Sequence, residues 1–340
     1  MKWKEYIVIN KFKWLDSLKK DRKNSLPILS FPMIQKYNIS VTELVNSAEL
    51  QARLMVEVAK EYPMSAILSM MDLSVEAEAF GSPIRFFKDD VPTVTKAIID
   101  SIEDVEKLKI PNVFENRTGI YVEGIKLAKK MAKNIPVIAG TIGPFSLAGR
   151  LMDMTEIMIN TYFEPEMVKK VLDKTTEFII NYINAFKEAG ADGIIIAEPA
   201  AGLLSPEICE EFSSYYIRKI KKVVDSENFV LIYHNCGNVI PLLDTILTFN
   251  ADIYHFGDNI DIEDMLKLMP KTKIVMGNIS PSKIIKNSNS KEVHKAVSNL
   301  LERCNKYDNF IISTGCDVPP TAPIENIEAY FEAIEDFYKK

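Results

Sequence analysis

The chain has 340 residues, 47% of them hydrophobic and 26% charged, with a formal net charge of −6 and an isoelectric point near 5.4. That length buries the core of one large α/β domain, and without a long basic run it excludes nucleic acid and anionic membrane surfaces as natural partners, because phosphate binding needs concentrated Lys and Arg. No stretch reaches the roughly twenty apolar residues of a membrane helix, and Met1–Lys20 lacks the unbroken apolar core of an export signal, so a cytoplasmic protein is expected.

In chain order, residues 1–25, which carry Trp3 and Trp14, are expected to form helices that close the far end or an edge of the fold. Leu26–Phe31 is the first of the short apolar runs that end in polar, Gly or Pro clusters. Such runs lack polar alternation because parallel strands are covered on both faces. Ser40 with Glu43 reads as a capping box ahead of a long apolar-periodic helix. Ala66–Asp72 is the second strand, and the stretch from Leu73 to Ile135 exceeds one crossover helix, which predicts an added hairpin or helix over the mouth. Strands follow at Pro136–Gly143, Gly193–Pro199, Phe229–Cys236, Ile253–Asp258, Lys273–Ile279 and Phe310–Cys316. Between them, Ser205-Pro206 opens a helix through Lys221, Ile262–Leu268 forms a brief one, and Ile327, Tyr330, Phe331 and Ile334 recur at helical spacing near the end.

Eight strands alternating with helices predict a single (β/α)8 TIM-type barrel spanning 1–340, with N-terminal helices and an insertion after the second strand. No Gly-rich phosphate loop follows the first strand, which argues against an open doubly wound sheet.

In such barrels the reacting groups sit at the C-terminal ends of the strands. Those ends carry Asp72, Gly143, Glu198, His234, Cys236, Asp258, Asn278 and Cys316. Residues two apart on a strand share a face, so His234 and Cys236 both turn toward the barrel axis. On the last strand, Ile312, Thr314 and Cys316 are expected to share the inner face. One imidazole and two thiolates make a borderline-soft donor set suited to zinc, and three protein ligands leave the open position of a catalytic site. The other two cysteines, Cys209 and Cys304, lie in helical patterns and read as inert thiols; His294 sits on a solvated helix face, and His255 reads as structural.

The same residues resemble the uroporphyrinogen decarboxylase superfamily, and within it the methylcobamide:thiol methyltransferase branch. The matching pieces are Asp72 with Glu76-Ala77-Glu78-Ala79-Phe80-Gly81, Gly140-Thr141-Ile142-Gly143-Pro144-Phe145-Ser146-Leu147-Ala148, Ala189-Gly190-Ala191-Asp192, His234-Asn235-Cys236-Gly237-Asn238, Met276-Gly277-Asn278-Ile279-Ser280-Pro281 and Gly315-Cys316-Asp317-Val318-Pro319-Pro320. The resemblance implies a β/α barrel with zinc on His234, Cys236 and Cys316. It also implies a methyl-corrinoid supplied by a separate corrinoid protein and a small thiol as methyl acceptor. Glu198 or Asp258 is expected at the fourth zinc position or beside His234, and Asp72 falls where the decarboxylase branch has its catalytic aspartate. With Asp72, Glu198 and Asp258 as catalytic candidates, Gly143 and Asn278 are expected to shape the cofactor pocket. Arg150 is the one candidate for a sulfonate on the acceptor. Two other readings are a metal-free decarboxylase-type lyase and a non-catalytic protein that binds the corrinoid protein. The lyase is disfavoured because Leu26–Tyr37 has Lys36 as its single cation and none of the arginines that bind porphyrin carboxylates.

Overall fold

Runs such as Gly193-Ile194-Ile195-Ile196-Ala197 pair side by side in the computed structural model, which describes residues 9–132 and 134–339. Seven strands make one curled, all-parallel sheet: β1 Ile67–Leu68, β2 Val137–Ile142, β3 Gly193–Ala197, β4 Val230–Asn235, β5 Ile253–Phe256, β6 Ile274–Ile279 and β7 Phe310–Thr314. Each strand pairs with the next in sequence, as expected of a β/α barrel.

The first expected strand, Leu26–Phe31, enters no ladder. It runs between the two edges of the sheet, turning at Ser30 into a 3-10 turn over Phe31–Met33, and joins the edges through scattered bonds. Ser25 bridges Met64, the Leu26 N–H donates to the Ile312 carbonyl at 3.2 Å, and Ser313 Oγ donates to the Leu26 carbonyl at 2.8 Å. On the other side Ser30 Oγ donates to the Leu68 carbonyl at 2.9 Å. Pro27 explains the irregularity: it has no N–H for a ladder, so side chains of β7 and of the segment itself supplement a few isolated backbone bonds.

Two apolar layers result. Leu26, Ile28, Leu68, Ile138, Ile195, Val230, Ile232, Ile253, Ile274, Met276 and Ile311 fill the barrel interior, while the larger cluster packs between sheet and helices. Helix α1, Lys11–Lys20, plugs the N-terminal end: Leu18 is buried in the interior cluster with Trp14 and Leu15 against it, and Trp14 Nε1 donates to the Ser65 carbonyl at 3.2 Å. This matches the expected closure; Trp3 lies outside the described residues. With that end sealed, the C-terminal ends of the strands form the open end.

The stretch after β1 holds a short antiparallel hairpin, Ile84–Arg85 with Thr93–Val94, and helix α2, Asn116–Met131. The capping box at Ser40 is present, but its helix stops at Val45, and Ser47 caps a second one over Ala48–Glu61. No described helix is long and apolar enough to cross a membrane.

Candidate metal centre

Alternation along β4 decides where His234 points. Val230 and Ile232 belong to the interior cluster and Leu231 and Tyr233 to the outer one, so His234 faces inward, 2% exposed. Asn235 faces outward and locks the following turn. Its Nδ2 donates to the Glu198 carbonyl at 2.7 Å and its Oδ1 accepts the Gly237 N–H at 2.8 Å. Cys236 is thereby held directly beyond the strand. Gly237 is required there, because a Cβ on it would lie 2.7 Å from the Gly202 Cα.

Cys316 reaches the site by a different route from the one expected. Ile311, not Ile312, lies in the interior cluster, so the inner face of β7 is Ile311 and Ser313. The strand ends at Thr314 and the chain bends at Gly315 and Cys316, which carries the sulfur inward despite the opposite parity. The bend is anchored on both sides. The Gly315 N–H donates to the Ile279 carbonyl at 2.7 Å, and Asp317 Oδ2 accepts the Met71 N–H at 2.9 Å.

The result is one cluster whose ligand atoms, from His234, Cys236 and Cys316, all lie within 4.8 Å of one another. Among the described residues no other group of three or more His, Cys, Asp or Glu converges this way. The Cys316 sulfur beside it pulls the Cys236 thiol below the ordinary thiol range against the opposing effect of burial, with His234 lowering it further. The same contact, with burial, pushes Cys316 well above the ordinary thiol range. His234 Nδ1 is buried without a hydrogen-bond partner. A thiolate, a second sulfur beside it and an unpaired imidazole nitrogen fit a zinc ion of one nitrogen and two sulfur ligands.

The other expected site residues are placed differently. Glu198 is fully buried, and its two oxygens accept the Phe145 N–H at 3.1 Å and the Ser146 N–H at 2.6 Å. These are first-turn amides of helix α3, Pro144–Met152, which has no cap from its own side chains. Glu198 therefore caps α3 and is not part of the converging cluster. Burial pushes its carboxyl up to about 7. Gly143 serves the same contact: a Cβ there would sit 2.4 Å from Glu198 Oε2. Asn278 braces the loop after β5, its Nδ2 donating to the Gly257 and Ile260 carbonyls at 2.9 Å each. Asp258 is half-buried against Gly315, where a Cβ would lie 3.4 Å from its Oδ1, and it too falls outside the converging cluster.

Asp72 is committed to a buried network that residue types alone did not reveal. Its Oδ2 pairs with Arg117 from the first turn of α2 and accepts the Tyr121 hydroxyl at 3.0 Å; its Oδ1 accepts the Ser74 hydroxyl at 2.6 Å. Arg117 also pairs with Glu78 at 2.6 Å. Glu76 lies close by, 1% exposed, with Oε1 accepting Thr141 Oγ1 at 2.8 Å and the Ile142 N–H at 3.0 Å, and with Oε2 unpartnered. Burial pushes the Glu76 carboxyl from 4.5 up to about 7. A carboxyl raised on folding holds its proton longer in the folded state, so wild-type stability falls as pH rises through that window. Glu76→Gln keeps both accepted bonds and removes the titration. Relative to wild type, the variant is expected to gain up to about 3 kcal/mol between pH 5 and pH 8 in urea unfolding. A constant difference at the two pH values would contradict this.

Of the remaining expectations, Cys209 and Cys304 are fully buried core thiols, and His294 is half-buried beside Asp336 at 3.2 Å. Lys36 pairs with Glu61, and Arg150 is half-buried in the last turn of α3. His255 was expected to be structural; it faces inward at the level of His234, a position with a signal in the sequence. Ile232-Tyr233-His234 recurs as Ile253-Tyr254-His255, in register on the neighbouring strand.

Compared with known families, residues 29–337 match the model described as uroporphyrinogen decarboxylase. The chain belongs to the uroporphyrinogen decarboxylase family. Among curated members of this family, it is 29% identical over 276 residues to a methylcobamide:CoM methyltransferase, MtbA, of Methanosarcina acetivorans, covering 80% of each chain. It is 28% identical to the methylcobamide:CoM methyltransferase MtaA of Methanosarcina barkeri, covering 87% of each. A uroporphyrinogen decarboxylase of Hydrogenovibrio crunogenus is 23% identical, over 88% of this chain and 87% of that one. In three dimensions the fold superposes on a methyltransferase from Methanosarcina mazei with a TM-score of 0.84 at 26% identity, covering 96% of this chain and 98% of the other.

Proposed function

We propose that this uroporphyrinogen decarboxylase family member is a zinc-dependent methyltransferase. It moves a methyl group from a methyl-corrinoid, carried by a separate corrinoid protein, to a small thiol. The observation that carries this reading is the convergence of His234, Cys236 and Cys316 at the open end of the barrel, in a chain whose similar relatives are named methylcobamide:CoM methyltransferases.

His234, Cys236 and Cys316 would hold the zinc, and the metal, when bound, supplies a lowered pKa for a thiol that joins them. The chain's own part is to keep that sulfur electron-rich. Two anionic sulfurs donate more charge than neutral ligands would, and His234, 2% exposed, holds its ring in a fixed, buried place beside them. In the transfer the acceptor sulfur attacks the methyl carbon; the new S–C bond forms as the Co–C bond breaks, and that bonding pair stays on cobalt. The thiol proton leaves to solvent. Asn235, Gly237 and Asp317 hold the two cysteine turns in place through the bonds described above.

Incubation of the zinc-loaded protein with methylcobalamin and a panel of small thiols, coenzyme M among them, tests this. The expected result is thioether formation with matching loss of the methyl–cobalt absorbance, abolished by removing the metal. Inertness toward every thiol in a fully metal-loaded preparation would refute the reading.

A further inference from the structure

We propose that His255 is a positioning residue that fixes His234 and Cys316 relative to each other, an inference that rests on the metal-centre reading above. His255 is fully buried, and it stands beside His234 in register, with ring centroids 4.5 Å apart and planes tilted by 37°. Its Nε2 lies 2.7 Å from the Thr314 carbonyl. A carbonyl only accepts, so Nε2 carries the proton and donates. Thr314 is the last residue of β7, immediately before the Gly315–Cys316 bend. One imidazole therefore touches the histidine ligand with its face and holds the strand end that delivers the cysteine ligand with its edge.

Two further facts separate this from ordinary core packing. The layer around His255 is mainly apolar, with Ile253, Ile274, Met276 and Ile311, and the polar atoms that its Nε2 meets, the Thr314 carbonyl and Ser313 Oγ at 3.4 Å, both belong to β7. The imidazole is retained although its Nδ1 is buried with no partner, an arrangement that costs on the order of 1–3 kcal/mol. At His234 the unpartnered Nδ1 is the nitrogen left free for a metal, and the tilted contact with the His255 ring limits how the His234 ring can turn.

Cobalt(II) titration of the metal-free protein tests the assignment, because sulfur-to-cobalt charge transfer reports ligand geometry independently of turnover. His255→Phe keeps a flat ring and loses the bond to Thr314; it is expected to weaken cobalt binding about 10-fold or more and to alter the ligand-field bands. His255→Gln, whose amide N–H reaches the same carbonyl, is expected to restore the wild-type spectrum and most of the affinity. Should His255→Phe not fold, His255→Asn, too short to reach Thr314, replaces it with the same expectation. Wild-type affinity and spectrum in the Phe or Asn variant, or no rescue by Gln, would overturn the proposal. Failure of the metal-centre reading is distinct: the wild-type protein itself would then show no sulfur-to-cobalt band.

Discussion

Cys316→Ser is expected to lose most of the bound zinc and to abolish thiol methylation. The serine hydroxyl is nearly isosteric but does not ionise near neutral pH, so the site drops from two sulfur donors to one and loses a negative charge. Changes to groups that merely orient ligands already cost 10–100-fold in metal affinity, so removal of a ligand is expected to exceed about 100-fold. Competition with a chelator, followed by elemental analysis, gives the affinity, and methylcobalamin consumption gives the activity. Cys304→Ser is the control, because Cys304 is fully buried in the helix Ser290–Cys304 and is not one of the converging ligands; it is expected to keep its metal. Equal zinc affinity and activity in Cys316→Ser and Cys304→Ser would remove Cys316 from the site.

The second large effect is expected at Arg117, where the consequence is stability. Its side chain is 5% exposed and it pairs with Asp72 and Glu78, whose side chains are 0% and 23% exposed. Arg117→Met keeps the length and removes the charge, leaving the Asp72 carboxylate buried without its cation. Breaking a buried pair from one side costs about 3–5 kcal/mol, because the remaining charge is uncompensated. Removing both partners in Arg117→Met with Asp72→Leu is expected to recover much of that loss. Urea unfolding of the single and double variants at neutral pH measures the two values. A single-variant loss under about 1 kcal/mol would show that the network contributes little.

The sequence made the barrel readable because its strands are short continuous apolar runs bounded by polar, Gly or Pro clusters, the pattern of a sheet covered on both faces. The exception has a local cause. Leu26–Phe31 is apolar enough to be a strand, but Pro27 removes the ladder donor, and the closing bonds come from Ser30, Ser313 and Thr314, whose role depends on contacts distant in the chain. The three residues of the converging cluster were readable because imidazole and thiol side chains are few and sit at strand ends. Yet Cys316 was found with the wrong parity: alternation extrapolated along β7 fails where Gly315 lets the chain bend.

Glu198, Asn278 and Asp72 show the limit of reading strand ends by residue type. Each sits near the predicted place, and each spends its polar atoms on structure: the α3 amides, the Gly257–Ile260 loop and Arg117. Which carboxylate meets which amide is set by packing between elements more than forty residues apart, and spacing along one strand does not carry that information. Arg117 lies inside the long insertion, where strand-end logic does not reach. His255 is the reverse case: the repeated Ile-Tyr-His tripeptide signals a matched register, and its meaning appears only once β4 and β5 are neighbours.

Zinc-edge X-ray absorption on the protein as purified under reducing conditions tests the central claim most directly. The account predicts one zinc per chain, with two sulfur neighbours at about 2.3 Å and nitrogen or oxygen neighbours at about 2.0–2.1 Å. A protein that takes up no zinc, or a metal surrounded by nitrogen and oxygen alone, would contradict it.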